Sequence, residues 1–246
     1  MSRLGGSLLR ALSLVARLLG RPPRSLPTVL SPEDAPVFPD PELFDEQGLI
    51  AVGGDLSPTR LLAAYRAGIF PWYGEDTPIL WWSPDPRAIF ELDGLHVSRR
   101  LARTVRGGKF QVTFDQAFTA VMTGCGQREE GTWITPEMQA AYATLHQMGH
   151  AHSVEVWHGG ELAGGVYGVT VGGLFAGESM FSRVTDASKV ALVHLVERLR
   201  ARGFTLFDIQ DLNDHTSTLG GAEVPREEYL GRLREALARE VTFGTG

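Results

Sequence analysis

Between residues 152 and 181 the chain reads HSVEVW, a turn at His158-Gly159-Gly160, ELAGGVYGV, a Gly172-Gly173 pair, then LFAGESMF. Short apolar-rich runs joined by glycine pairs fold back on one another as an antiparallel meander. A helix follows, from about Ala187 to Arg202, with Leu192, Leu195, Val196 and Leu199 on one face. Then come a strand over 204–210, FTLFDIQ, the loop DLNDHTSTLGG, and a last helix from Pro225 to about Glu240. Upstream, Thr135-Pro136-Glu137 opens a helix over Met138 to Met148 that Gly149 closes, and Asp115 is expected to cap a shorter helix ending at Gly124. A meander, a helix and a further strand predict an α+β domain around a central, mostly antiparallel sheet.

The front of the chain is organised differently. Residues 21–41 hold seven prolines, a density that predicts a linker neither helical nor paired. A compact unit begins near Phe38. Its helix opens at Ser57-Pro58 and closes at Gly68, after Leu61, Leu62 and Tyr65. Residues 69–87 contain four prolines and three tryptophans, too broken for a regular element and too aromatic for a solvated loop. In residues 1–24, Arg3, Arg10 and Arg17 recur every seven residues among leucines, which is either one face of an amphipathic surface helix or a flexible extension. The arginines interrupt the apolar run, so it is neither a secretory signal nor a membrane span. The expected division is an extension over 1–36, a small domain over 37–87 and a larger one over 88–241.

Charge limits the partners. A net charge of −6 excludes wholesale coating of nucleic acid, so any RNA contact must be local. One such place exists. Residues 95–113 carry Arg99, Arg100, Arg103, Arg106 and Lys109 and no acid, which suits phosphate contacts or, more simply, a solvated helix face. The single cysteine, Cys125, rules out an intramolecular disulfide and a cysteine-pair zinc site, and suits a reducing cytoplasm. His146, His150 and His152 straddle a helix end and share no face, so no metal is expected there. The stretch from Asp208 to Leu219 lacks the glycine and glutamate of a calcium loop.

Several residues stand out as candidates for chemistry. Asp208 and Gln210 lie two apart on a predicted strand, so both side chains leave the same face, with Phe207 and Ile209 opposite. A carboxylate that fixes a carboxamide would leave the amide oxygen free to accept a proton; an edge strand with a solvated face is the plainer alternative. Glu178, in AGESMF, has small neighbours that leave room for a ligand, and its charge would attract a cation unless it is simply a solvated strand end. Trp72, Trp81, Trp82 and Trp133 offer flat faces for stacking on a nucleobase, or form core.

In order along residues 37 to 235, the runs GLIAVGGDLSPTRLLAAYRAGIFPW, PILWWSPDPR, REEGTWIT, LHQMGHAHSVEVW, GESMFSR and FDIQDLNDHTSTLGG resemble the leucyl/phenylalanyl-tRNA–protein transferase family. The resemblance implies a small N-terminal domain and a C-terminal domain of the acetyltransferase-like (GNAT-type) fold, working without coenzyme A or any other cofactor. The implied donors are Leu-tRNA and Phe-tRNA, with methionine handled less well. The implied acceptor is a protein beginning with Arg or Lys, which is then directed to proteolysis, and the enzyme would be a cytoplasmic monomer. Asp208 and Gln210 would be the catalytic pair and Glu178 would assist at the acceptor site. Trp72 and Trp133 would hold the terminal adenosine. Phe175, Met180, Leu195, Leu199 and Phe207 would line the pocket for the donor side chain, and the basic run would meet tRNA phosphates.

Three rivals are weighed against it. A tRNA-dependent aminoacyltransferase acting on peptidoglycan precursors would commonly show a duplicated domain, which is absent. An acyl-coenzyme A acetyltransferase would want a glycine-rich pyrophosphate loop, and Arg128 to Trp133 ends in Thr132-Trp133 instead. A non-catalytic RNA-binding module would use the same tryptophans and basic run.

Overall fold

The computed structural model describes residues 25–127 and 132–244. A four-stranded sheet is assembled from β1 (Thr28–Leu30), β2 (Leu49–Gly53), β3 (Phe70–Pro71) and β4 (Leu80–Trp82), in the order β1-β2-β4-β3. Two of its features correct the sequence reading. β1 falls inside the proline-rich stretch expected to be unpaired. Pro27 and Pro32 flank it, so Thr28, Val29 and Leu30 keep their N–H groups and pair in parallel with Ala51, Val52 and Gly53. β3 and β4 fall within 69–87, expected to be irregular, because strands of two and three residues are too short to show a period. The helix between β2 and β3, α1 (Pro58–Arg66), starts as expected, with the Ser57 hydroxyl accepting from the Arg60 N–H at 3.4 Å.

The remaining elements are β5 (Arg87–Phe90), α2 (Arg99–Arg106), β6 (Gln111–Phe114), α3 (Phe118–Gly126), α4 (Pro136–Gln147), β7 (Ala151–His158), β8 (Glu161–Val171), β9 (Leu174–Ser182), α5 (Ala187–Arg202), β10 (Leu206–Gln210), α6 (Asp214–Thr218), β11 (Gly221–Val224) and α7 (Arg226–Leu237). Their strands form one sheet in the order β11-β5-β10-β9-β8-β7-β6. Only the β9–β10 pair is parallel; the rest are antiparallel, which is the expected α+β class.

Asp115 does not cap α3. At φ +58 it turns toward β7, where its carboxylate accepts the Ser153 N–H at 2.9 Å and contacts His152 Nδ1 at 2.8 Å, and α3 begins without a side-chain cap. The stretch after β10, read as one loop, contains α6 and β11. Asn213 and Thr216 start α6 with a reciprocal capping pair.

Alternation along the strands divides the core into two layers. Leu174, Ala176 and Leu206 face a cluster formed with α1, α3, α4 and α7, which contains Tyr65, Tyr142, Tyr167 and Tyr229. Phe175 and Phe207 face the other cluster, formed mostly with α5, where Leu195 and Leu199 are fully buried. Each such leucine, cut to alanine, costs about 2–5 kcal/mol. The first cluster also takes in Ile50, Leu61 and Trp81, so the small sheet shares its core with the large one. Glycines in β8 allow the close approach. A Cβ at Gly164 would lie 2.7 Å from that of Ala187 on α5, and one at Gly168 would lie 2.5 Å from the Phe175 ring.

The amphipathic or flexible segment expected over residues 1–24 lies outside the described residues. Among those described, no helix is long and apolar enough to cross a membrane.

Candidate active site

The parallel pair β9–β10 places the polar candidates. Asp208 pairs with Ala176, and two residues further along each strand stand Gln210 and Glu178. The Gln210 amide nitrogen donates to Glu178 Oε1 at 2.8 Å. Glu178 is 9% exposed. The Tyr65 hydroxyl (from α1) donates to Oε1 at 2.8 Å, and that of Tyr142 (from α4) to Oε2 at 3.2 Å; the two hydroxyls lie 2.5 Å apart. Burial raises the Glu178 carboxyl to about 7, the hydrogen bonds from Tyr65 and Tyr142 pulling against it and the charge of Asp208 adding to it. Burial and the Glu178 charge raise both tyrosines, which therefore stay protonated as donors.

Asp208 is placed otherwise than expected. It is 1% exposed and does not hold the Gln210 side-chain amide. Arg87 grips it in a fork, Nε to Oδ1 at 2.8 Å and Nη2 to Oδ2 at 2.6 Å, while Tyr229 donates to Oδ2 at 2.9 Å. The fourth donor is the backbone N–H of Gln210, 2.9 Å from Oδ1. That bond sits at a bulge where Gln210 adopts φ +66, and the next N–H, of Asp211, closes back onto the Ile209 carbonyl at 2.7 Å. Asp208 therefore fixes the backbone of Gln210, and Glu178 fixes its side chain. The strained backbone re-aims a side chain at the end of a strand.

Glu178 and Gln210 open onto a cavity of about 930 Å³. One wall is apolar, with Phe90, Val166, Met180, Leu192, Phe207 and Ile209. Trp72, Trp82 and Trp133 stand on another, supplied by the small sheet and the approach to α4. Trp72 is 55% exposed, its ring edge-on to Trp82 at 6.4 Å between centroids. Trp81, by contrast, is fully buried core.

Residues 54–85 match the model of the leucyl/phenylalanyl-tRNA protein transferase N-terminal domain, and residues 89–234 match that of leucyl/phenylalanyl-tRNA protein transferase. The chain belongs to this family. A leucyl/phenylalanyl-tRNA–protein transferase of Anaeromyxobacter sp. (strain Fw109-5) is 56% identical over 211 residues, covering 84% of this chain and 90% of the relative. One from Nitratidesulfovibrio vulgaris (strain DP4) is 52% identical over 219 residues, covering 87% and 94%. Among solved structures, a GCN5-related N-acetyltransferase from Kribbella flavida aligns over 68% of this chain and 60% of that one, at 12% identity and a TM-score of 0.39.

In this member of the leucyl/phenylalanyl-tRNA–protein transferase family, the expected donor-pocket residues separate. Met180 and Phe207 line the cavity. Phe175, Leu195 and Leu199 do not; they lie in the core behind it, where the Phe175 ring meets that of Phe207 edge-on at 5.5 Å. Alternation explains Phe175, which sits beside Phe207 across the strand pair and supports it from behind. Leu195 and Leu199 are one and two turns further along α5 than Leu192, the residue that reaches the wall. The basic residues Arg99, Arg100, Arg103, Arg106 and Lys109 are exposed on and after α2, outside the cavity lining. Arg100 pairs with Asp186 at 2.9 Å, so it is less available than the others.

Arg87, Tyr65, Tyr142 and Tyr229 had no clear signal. The tyrosines occupy apolar helical positions and read as core. Arg87 ends a proline-rich run, and its partner lies 121 positions away. Cys125 is buried, and among the described residues no group of three His, Cys, Asp or Glu could hold a metal ion.

Proposed function

We propose that the chain transfers leucine or phenylalanine, and methionine less well, from aminoacyl-tRNA to the N-terminal amine of proteins that begin with Arg or Lys. The observation that carries this reading is the meeting of three surfaces in one cavity of a family member: a flat aromatic wall, an apolar wall, and the Glu178–Gln210 pair between them. Trp72 and Trp133 stack the terminal adenosine, and Met180, Phe207, Leu192 and Val166 receive the donor side chain. Apolar walls discriminate by shape at only about 1–3 kcal/mol per methylene, which suits tolerance of Leu, Phe and Met.

The reaction is aminolysis of an ester, so positioning dominates. The acceptor nitrogen attacks the aminoacyl carbonyl carbon, an amide bond forms, and the bond to the ribose oxygen breaks. Gln210 turns its amide nitrogen to Glu178, which leaves its carbonyl oxygen to accept from the incoming amine. An amide cannot keep the proton at neutral pH. Glu178, at about 7, is matched to an amine of about 7.7–8.0 and takes the proton by relay through Gln210, whose oxygen receives one proton as its Nε2 gives one to Glu178; the relay reverses to protonate the departing ribose oxygen. Asp208 acts through Gln210 and is a positioning residue. Contact of Arg99, Arg103, Arg106 and Lys109 with tRNA phosphates explains how an acidic chain handles tRNA.

A transferase with a peptidoglycan acceptor is disfavoured by the family of the relatives. Incubation with Leu-tRNA and two peptides, one beginning with Arg and one with Asp, tests the reading by mass spectrometry. The Arg peptide gains one leucine residue at its N-terminus. Both peptides unchanged, with tRNA binding intact, would reject it.

A further inference from the structure

Among the described residues, the ionisable groups that line the cavity are Glu178, Asp211 and His215, with no Arg or Lys. A site with this balance favours a cation and repels an acid. Glu178 is a poor partner for an incoming guanidinium. Its oxygens already take hydrogen bonds from Tyr65, Tyr142 and Gln210, and it is nearly enclosed. Asp211 differs on each point. It is exposed, and among the described residues its carboxylate takes part in no ion pair.

Its place in the chain adds the second argument. Asp211 directly follows Gln210, and its N–H closes the tight turn onto Ile209 at 2.7 Å. The backbone that aims Gln210 therefore also sets Asp211. In an acceptor, the α-amine and the side chain leave the same Cα, so the group that reads the side chain must stand beside the group that receives the amine. The other titratable group at the rim, His215, is held below its ordinary value by burial and then by Lys189 of α5, so it is neutral at pH 7 and does not compete for the anion.

We propose that Asp211 is the specificity-determining carboxylate that binds the cationic side chain of the acceptor's first residue. This rests on the cavity being the aminoacyl-transfer site. Asp211 pairs with an Arg or Lys head group at the mouth while the α-amine sits at Gln210, and an acceptor beginning with Asp or Glu is repelled by the same charge.

The test compares wild type with Asp211→Asn on peptides beginning with Arg and with Gln, using Leu-tRNA as donor. The ratio of kcat/KM for the Arg peptide over the Gln peptide falls about fivefold in Asp211→Asn, through KM, as for a partly exposed ion pair worth up to about 1 kcal/mol. Asp93→Asn, whose carboxylate pairs with Arg200 away from the cavity, keeps the wild-type ratio. An unchanged ratio in Asp211→Asn, or an equal loss on both peptides, overturns the assignment. Calorimetric binding of the Arg peptide without tRNA reads Asp211 independently of chemistry. Weaker binding by Asp211→Asn supports the assignment even if wild type transfers nothing, a result that would reject the transfer reading alone. Equal binding overturns it.

Discussion

Arg87 holds Asp208 through two parallel hydrogen bonds, at 2.8 and 2.6 Å, with both residues 1% exposed. The pair joins β5, the first strand of the large sheet in the chain, to β10, and the Asp208 carboxylate passes the constraint to the backbone of Gln210. The guanidinium also bonds the Gly68 carbonyl at 3.1 Å and lies over the rings of Phe70 and Tyr229, so it ties the small sheet to the site.

Breaking this pair is costly because it strands a charge. Asp208→Ala leaves Arg87 buried without its carboxylate, and Arg87→Met leaves Asp208 so; each destabilises the fold by about 3–5 kcal/mol in denaturant titration. Arg87→Lys keeps the charge but loses the fork, and falls between. Wild-type stability in either of the first two would contradict the role assigned to the pair.

Stability depends on pH through Glu178. Its folded value, about 7, lies above the ordinary 4.5, so folding favours the protonated form. That contribution is complete below about pH 4.5 and is lost as pH rises through about 7, a change on the order of 3 kcal/mol. Glu178→Gln flattens this part of the stability profile, as urea melts between pH 4.5 and 7.5 will read.

Transfer moves the opposite way, since ionised Glu178 accepts the proton. The rate rises through about pH 7, with a second rise as the acceptor amine loses its proton near 7.7–8.0. Tyr65→Phe and Tyr142→Phe each remove a hydrogen bond that lowers the Glu178 value, so each shifts the first rise to higher pH. A profile unmoved by both would count against Glu178 as the proton acceptor.

Trp72 separates binding from folding because it is 55% exposed, and its hydrogen bond to Trp82 runs through its backbone carbonyl, which alanine keeps, so that the edge-on ring contact is all that the fold loses. Trp72→Ala weakens donor binding by about tenfold to a hundredfold, the loss of one stacked base at about 1–3 kcal/mol, while the melting temperature stays within a few degrees. Fluorescence titration with Leu-tRNA checks the first, and a thermal melt the second.

The basic helix should show itself through salt. The slope of log affinity for tRNA against log salt concentration becomes shallower by about one for each of Arg99→Ala, Arg103→Ala and Arg106→Ala. A smaller change is expected for Arg100→Ala because of Asp186. Slopes that do not move would place the tRNA elsewhere.

The parts of the fold readable from the chain are those with long periods or paired signals. α5 shows its apolar face over sixteen residues, and the β7–β9 meander is marked by glycine turns. Glu178 and Gln210 were legible as polar residues in apolar strands, although not that they touch, since the parallel pairing of β9 with β10 is a tertiary fact. β1, β3 and β4 were hidden by brevity and by flanking prolines. Arg87 and the tyrosines were hidden because only their distant partners distinguish them from ordinary core. Asp208 was legible as a polar residue of the strand, but its partners, Arg87 and the Gln210 backbone in place of the Gln210 side-chain amide, were not. The bulge that turns Gln210 away from a regular strand has no signature in FDIQ.

The most direct test of the central claim is single-turnover transfer of labelled leucine from Leu-tRNA to an Arg-initiated peptide, by wild type and by Gln210→Ala, with tRNA binding followed in parallel. The account predicts label on the peptide with wild type and a loss of about a hundredfold or more in Gln210→Ala, with tRNA affinity retained. Label transferred equally well by Gln210→Ala, or none by a wild type that binds the tRNA, would contradict it.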